Sequence, residues 1–440
     1  MSNVHTSSQD KTTSRREFLQ KSATLAGAAA VASLPLARGA HAAGSDVIKF
    51  GLIGCGGRGC GAALNAMNAG PDVRLAAMAD LFPAKAEAGR KRLAAGPRGE
   101  QVTVDDDHLF SGFDGYEQVL ASDIDVAVIA ATSHFHPRMF EAAVKAGKHI
   151  FCEKPHALDA PGAKRVAAAC ELARQNKQCV VSGLVNRYNP RVRETVKRIH
   201  DGAIGRITTV HEVYRSSPYC IRDRDPAWTE LEWQFHNWYH FLWLAGDQCP
   251  QQLIHSIDVG AFAMQNEWPV KAWGLGGRAA CFGPQYGDLF DHQSVVFEYA
   301  DGKRMYGLCR NQLGVQNERA DFVYGAKGTA DIRKGRIEGE TNWKYEGENV
   351  NPFDVEHQEL FAAVRSGEVI NNANYMVGSS LMALLAQTVC QTGQEMTWEQ
   401  IVESETSVEL PRYAWDVEPP VKPNERGDYD VAIPGIAKYA

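Results

Sequence analysis

From residue 47 to about residue 179, short apolar runs alternate with stretches in which apolar positions recur every three or four residues. Val47–Ile53, Val73–Ala79, Val126–Ala131 and His149–Cys152 have the apolar character of buried strands, and Val180–Leu184 reads as another of the same set. Gly59–Ala69, Pro83–Ala94, Pro137–Ala146 and Pro161–Gln175 carry the helical period between them. Strands alternating with helices predict a parallel sheet covered on both faces, joined by right-handed crossovers. After about residue 190 the pattern changes. Gly205–Tyr214, Ala272–Leu275, Ser294–Tyr299, Arg304–Cys309, Ala320–Tyr324 and Gly328–Arg333 are short, half-alternating runs with turn residues between them. Asp301-Gly302 is a hairpin signal, so this half predicts an antiparallel sheet. Val355–Ser366 and Tyr375–Thr392 return to helical spacing, and the second of them has an apolar face to pack back on the core. From Leu410 the chain is Pro-rich and irregular, a tail expected to wrap its own surface or a neighbour.

Ahead of this pattern stands an address. Residues 14–21 read Ser-Arg-Arg-Glu-Phe-Leu-Gln-Lys, an alanine-rich run follows from about Ala23 to Ala37, and Ala40-His41-Ala42 has the form of a cleavage site. The mature chain is expected to begin at Ala43. Paired Arg15 and Arg16 with Phe-Leu-x-Lys resemble a twin-arginine signal. That predicts recognition by the twin-arginine export machinery, passage in the folded state and a periplasmic location.

Composition narrows the partners. The 440 residues are 44% hydrophobic and 22% charged, enough for two cores. The net charge is −7 without a long basic run, so no nucleic-acid partner is expected. Past the leader no apolar stretch reaches about 20 residues, the length a membrane span needs. The ten cysteines show no C-x-x-C spacing and several lie in apolar runs, which suits small buried side chains. His236 and His240 are i and i+4 but lack a third ligand, so no metal is expected.

The first strand runs into Gly54-Cys55-Gly56-Gly57-Arg58-Gly59 and then a helix. Gly54, Gly56 and Gly59 fill G-x-G-x-x-G in its strand–turn–helix setting. Without a Cβ, the backbone admits a pyrophosphate, and the helix N-terminus offers it free N–H groups and partial positive charge. Gly57 lies in the same turn, and Arg58 is placed to add charge or to stack on adenine. The second strand ends at Asp80, 21 residues beyond Gly59. A carboxylate there accepts from both ribose hydroxyls and repels a 2′-phosphate, which favours NAD over NADP, although Arg90 or Lys91 would be the cations to reach a phosphate. The expected organisation is a leader (1–42), a Rossmann α/β domain (43–185), an α+β domain with an open, mainly antiparallel sheet (186–409) that the helices of 355–392 pack, and a tail (410–440).

Ala130-Ala131-Thr132-Ser133-His134-Phe135-His136-Pro137 closes a strand, and Cys152-Glu153-Lys154-Pro155-His156 follows about 16 residues later. The pair resembles the T-x-x-x-H and E-K-P signatures of the glucose-fructose oxidoreductase/inositol dehydrogenase/MocA (Gfo/Idh/MocA) superfamily. Asn237-Trp238-Tyr239, Leu244-Ala245-Gly246-Asp247 and His255-Ser256-Ile257-Asp258 look like a large exported subgroup of it. The resemblance implies an NAD(P)-dependent oxidoreductase acting on a sugar, a cyclitol or a related hydroxyl. It also implies homo-oligomers, dimers or tetramers, formed through the open sheet. It places Thr132, His136, Glu153 and Lys154 at the nicotinamide, with Lys154 holding or relaying the proton of the reacting hydroxyl; a cis Lys154–Pro155 bond is expected there. His255 is implied as base or orienting group, and Asp258, sharing its helix face at i+3, as a partner of its imidazole or of a substrate hydroxyl. The superfamily's acid four residues before the histidine is here Gln251, which cannot ionise. His156, Asn186, Arg187 and Tyr188 are further candidates for substrate contact. The aromatic segment from Arg222 to Trp243, Asp291-His292 and Arg310 are weaker ones. Three readings compete: a dehydrogenase or sugar–sugar oxidoreductase with tightly bound, recycled cofactor; an NAD-dependent glycosidase or lyase working by transient C3 oxidation and elimination; and a non-catalytic nucleotide-binding scaffold.

Overall fold

The computed structural model describes residues 47–438, so the leader and its twin arginines lie outside the described residues. The first half builds β1 (Ile48–Ile53), α1 (Gly57–Met67), β2 (Val73–Asp80), α2 (Pro83–Ala94), β3 (Leu109–Ser111), α3 (Gly115–Ala121), β4 (Val126–Ile129), α4 (His136–Lys145), β5 (His149–Cys152), α5 (Ala160–Gln175) and β6 (Val180–Ser182). The six strands are all parallel, in the order β3-β2-β1-β4-β5-β6. Their side chains are sealed on both faces: Phe50, Leu52, Val128, Ile150 and Phe151 have no exposed surface, as the unbroken apolar runs require. The order reverses between β1 and β4, which leaves a crevice at the carboxyl ends of the strands. Proline at the first turn starts α2, α4 and α5, and the Asp159 side chain caps α5 by accepting from Gly162 N at 2.6 Å.

The second half adds α6 (Pro190–His200), β7 (Ile207–Ser216), α7 (Glu230–His236), α8 (Leu242–Ala245), a π-helical turn (Cys249–Leu253) running into α9 (Ile254–Ala263), then β8 (Lys271–Gly277), β9 (His292–Glu298), β10 (Arg304–Asn311), β11 (Glu318–Gly325), β12 (Gly328–Asp331), β13 (Arg336–Gly339) and β14 (Trp343–Lys344). α10 (Pro352–Ser366), α11 (Ala373–Thr392), β15 (Met396–Thr397) and α12 (Trp398–Glu403) complete it. The nine strands run β14-β13-β12-β11-β7-β10-β9-β8-β15. The sheet is mainly antiparallel, with one parallel pair, β10 on β7, that the sequence pattern did not reveal. One face carries α9 and α11; Gly274, for example, lies against Cys390 and Val389 of α11. The other face is open.

One placement differs from the expectation. Of the two returning helices, only α11 packs on the second sheet. α10 crosses back to the first, where Phe361 meets Phe50 edge-on at 6.2 Å. The Pro-rich tail wraps the chain's own surface: Tyr413 and Trp415 close over Phe113, and Tyr429 over Phe241. All ten cysteines are reduced and nine are buried. Among the described residues no helix is long and apolar enough to cross a membrane.

Candidate active site

The glycine turn has the shape a dinucleotide requires. Gly54 has φ +98°, and a Cβ on Gly59 would fall 1.8 Å from the Gly54 carbonyl oxygen, so neither position tolerates a side chain. A Cβ on Gly56 or Gly57 would meet nothing within 4 Å: these two face open space at the start of α1, where no side chain caps the first N–H groups. Asp80 closes the turn from the end of β2, accepting from Cys55 N at 2.8 Å and Phe82 N at 3.1 Å. These residues fit a pyrophosphate at Gly54–Gly59 and a ribose at Asp80. Arg90 is committed to Asp106 at 2.8 Å. Lys85, whose pKa burial lowers against the pull of Asp80, is the nearer cation.

Asp80→Ala therefore removes two things at once, an acceptor for the ribose and the anchor of the loop. A charge-assisted hydrogen bond contributes about 1.5–3 kcal/mol, so NAD affinity should fall roughly tenfold to over a hundredfold, with weaker discrimination against NADP. Calorimetric titration with both nucleotides checks this; unchanged selectivity places ribose recognition elsewhere.

Arg58 is held from the side of the E-K-P segment. Its Nε donates to Glu153 Oε1 at 2.5 Å, and its guanidinium lies 4.6 Å from the centre of the Phe353 ring. It ties the glycine turn to the E-K-P segment. Glu153 is accordingly buried and engaged by Arg58. His136 is a buckle of the same region: its ring nitrogens meet the carbonyls of Pro155 (2.7 Å) and Ala131 (3.0 Å), joining the ends of β4 and β5. Thr132 stays half-buried at the mouth of that junction, its carbonyl accepting from Phe135 N.

The Lys154–Pro155 bond is cis. Lys154 Nζ donates to the main-chain carbonyl of Gln251 at 2.5 Å, so the first half's lysine meets the π turn of the second half. Burial lowers its pKa to about 8; Glu153 opposes the shift and Arg58 adds to it. His255 lies one turn further on, half-buried and stacked on Tyr214 with ring centres 6.2 Å apart. Burial first, and then Lys154, Arg333, Arg319 and Arg58, hold its pKa well below the usual histidine range. The imidazole is neutral at physiological pH and resists protonation.

Several other expectations are corrected. Asp258 touches neither His255 nor the cleft. Its carboxylate is 1% exposed and accepts from Arg187 Nε and Nη2 at 2.8–3.1 Å and from Ser379 Oγ at 2.9 Å. Arg187 is thereby consumed in the same buried pair. Tyr188 donates its hydroxyl to Asn372 at 2.7 Å, away from substrate. His156 is enclosed between Ser182 and Ser380, and burial takes its pKa down to about 3. Asn186 remains at the site, but as a support: its Nδ2 donates to the His255 carbonyl. The Gln251 side chain donates to Ser133 Oγ at 3.1 Å and to the Ala245 carbonyl. A carboxylate there would face that carbonyl, which explains why an amide serves. His236, from the aromatic segment, stacks between Phe82 and Trp228 as packing, and Arg310 turns to the Gln316 carbonyl. The wall that the sequence did not mark comprises Tyr214, Tyr219 and Arg319. Tyr219 OH meets Tyr214 OH at 3.1 Å and Arg319 Nη2 at 3.1 Å.

Comparisons with known proteins agree with this geometry. The family described as "Oxidoreductase family, NAD-binding Rossmann fold" matches residues 48–183. An inositol 2-dehydrogenase of Rhizobium meliloti (strain 1021) is 31% identical over 291 residues, covering 66% of this chain and 76% of the relative. Two solved structures share the fold over 80% of this chain, each with a TM-score of 0.62. They are an aldose-aldose oxidoreductase from Caulobacter crescentus (19% identical, 99% of that chain) and a levoglucosan dehydrogenase in complex with NADH and levoglucosan (18% identical, 100% of that chain). The chain belongs to the Gfo/Idh/MocA superfamily and is an NAD-binding oxidoreductase acting on CH–OH groups.

Proposed function

We propose that this protein oxidises a secondary hydroxyl of a neutral sugar, cyclitol or glycoside, with NAD preferred over NADP, held tightly and recycled within the site. The observation that carries the reading is the Lys154 ammonium, brought by the E-K-P segment to the Gln251 carbonyl beside a neutral His255. When bound, NAD supplies the hydride acceptor. Lys154 Nζ, as free amine, takes the hydroxyl proton as the C–H bond breaks; His255, kept neutral, orients the hydroxyl. Glu153 and Arg58 hold the lysine's segment against the nucleotide turn, and the Gln251 carbonyl fixes Nζ between turnovers.

Export in the folded state is part of the proposal, supported by the twin-arginine pattern and the Ala40-His41-Ala42 site, and it explains why a recycled cofactor would be useful: a periplasmic enzyme has little free nucleotide to draw on. A homo-oligomer is also part of it. On the open face, one cross-strand row runs Trp273, Val296, Tyr306, His211 and Phe322 and the next Leu275, Ser294, Leu308, Val213 and Ala320, eight of the ten apolar, across five strands. Leu275 is 70% exposed. An apolar face of this extent suits burial against another copy.

The reading is tested by denaturing the purified protein, identifying released nucleotide by mass spectrometry, and following absorbance at the reduced-nicotinamide band across sugars, cyclitols and glycosides. Protein that neither carries nor binds NAD ends it. The pH dependence has a definite sign. Below about pH 8 Lys154 is an ammonium and cannot accept a proton; above it the free amine can. Alcohol oxidation should rise through about pH 8 and level off, and the reverse reduction should fall over the same interval. A flat profile from pH 6.5 to 9.5, on the scale of that roughly 8 midpoint, removes Lys154 as the base.

A further inference from the structure

The carboxyl edge of the first sheet carries a covering that no reacting group needs. Three loops leave that edge beside the glycine turn, and each presents an aromatic ring: Phe82 after β2, Phe113 after β3 and Phe135 after β4. Phe82 stands two residues beyond Asp80, and its N–H donates to the Asp80 carboxylate at 3.1 Å. A ribose held at Asp80 brings its adenine to this edge of the crevice. The rings are closed over from the second half of the chain. His236 of α7 stacks on Phe82 with ring centres 3.9 Å apart. Trp415 of the tail reaches both Phe82, at 5.6 Å, and Phe113, at 4.9 Å, and Tyr413 lies 5.1 Å from Phe135.

The tail is pinned on both sides of this contact. Ahead of it, the Asp159 carboxylate, just past the E-K-P segment, accepts from Val408 N at 2.8 Å and Ser407 Oγ at 3.2 Å. Behind it, Gln234 of α7 donates to the Val421 carbonyl at 2.7 Å. In the middle sits one polar lock. His134 is kept neutral by burial, its pKa down to about 4. Its Nδ1 donates to the Trp243 carbonyl at 2.9 Å, so Nε2 is left to accept, and the Tyr413 hydroxyl donates to it at 2.7 Å. Residues 407–421 thus run from Asp159 to α7 across the loop ends of β2, β3 and β4. Between these fixed ends Trp415 is still 38% exposed. A segment tied at both ends and lightly buried in the middle opens locally at less cost than the sheet beneath it.

We propose that residues 407–421 are a strap over the adenosine end of the nucleotide site, and that Tyr413 and Trp415 set how long a nucleotide stays bound. The ties to Asp159, His134 and Gln234 need no nucleotide, so the strap bars entry as well as exit. Nucleotide passes in either direction only when the middle of the strap lifts. The proposal rests on the reading of a tightly held, recycled NAD and names the residues that hold it.

The test is nucleotide exchange, which needs no sugar. Release is followed by mass spectrometry as protein loaded with isotopically labelled NAD is chased with unlabelled NAD. Capture is followed by nicotinamide fluorescence when NADH is mixed with protein stripped of nucleotide. Trp415→Ala should speed both release and capture by about tenfold or more and leave Kd within about threefold of wild type. Tyr413→Phe keeps the ring and deletes only the hydroxyl that His134 accepts from; it should speed both by about tenfold, and it decides the matter if Trp415→Ala fails to fold. Unchanged rates in Tyr413→Phe, or in a folded Trp415→Ala, overturn the strap. So does faster release with unchanged capture, which makes these rings ordinary contacts of the adenine. A sugar panel in which nothing reduces the bound NAD fails the hydride-transfer reading and leaves the exchange result standing. Wild-type protein that binds no NAD overturns both.

Discussion

Lys154→Ala should fold, retain its nucleotide and lose about 10²–10⁴-fold in turnover, the usual worth of a positioned proton-transfer group. The fold is spared because Nζ makes a single protein contact, with the Gln251 carbonyl, and that carbonyl borders a cleft where water can replace the lysine. Nucleotide is spared because the Gly54–Gly59 turn and Asp80, which fit the pyrophosphate and ribose, do not depend on Lys154. Lys154→Arg should not rescue turnover: a guanidinium keeps its charge at every accessible pH and cannot accept the hydroxyl proton. His255→Ala should lose a similar or smaller factor. If both groups serve one proton path, the losses will not multiply in the double variant. The measurement is single-turnover reduction of the bound nicotinamide, normalised to nucleotide content by mass spectrometry. Wild-type turnover in the double variant would remove this mechanism from the protein altogether.

The first sheet was legible because its strands are buried on both faces, and such strands leave unbroken apolar runs; His149–Cys152 and Pro83–Ala94 have the predicted bounds. β3 went unseen because three residues between His108 and Gly112 carry no period, and β13 to β15 are too short for one. The parallel β10–β7 pair joins strands almost a hundred residues apart, a matter of topology that alternation alone does not encode. At the site, Gly54, Asp80 and Lys154 were readable because each sits at a strand end that the local pattern fixes. Asp258 was misread for the opposite reason. The i, i+3 spacing from His255 places it on a shared helix face but says nothing of Arg187, 71 residues earlier, which occupies its carboxylate. The same limit hid the Tyr214–Tyr219–Arg319 wall, assembled from β7, the segment after it and β11. The π turn widens the helix at the point where Gln251 was compared with the superfamily's acid, so the sequence spacing did not predict that its amide would turn to Ala245 and Ser133.

Arg187 and Asp258 should prove to be worth more to the fold than any single residue of the cleft. The guanidinium is 7% exposed and the carboxylate 1%. The ring centres of Tyr375 and Phe262 lie 4.1 and 4.5 Å from the Arg187 Cζ, and Nη2 also donates to Asn266 at 2.8 Å. The pair thus pins the segment after β6 to α9, three residues beyond His255, and through Ser379 to α11. A buried pair of this kind has a large desolvation cost to offset, so its net contribution can be small; breaking it is a different matter. Asp258→Ala leaves a cation between two rings with no counter-charge, and Arg187→Met leaves an unpaired carboxylate beside Ser379. Each should destabilise the protein by about 3–5 kcal/mol, whereas Arg187→Met with Asp258→Leu together should recover much of that loss because neither charge is left behind. Urea unfolding of the four proteins gives the coupling directly. The same series separates this role from substrate binding. Asp258→Ala with an unchanged unfolding midpoint and a raised KM would return Asp258 to the cleft. A lowered midpoint with KM preserved at a temperature where the variant is folded identifies it as the brace beneath His255.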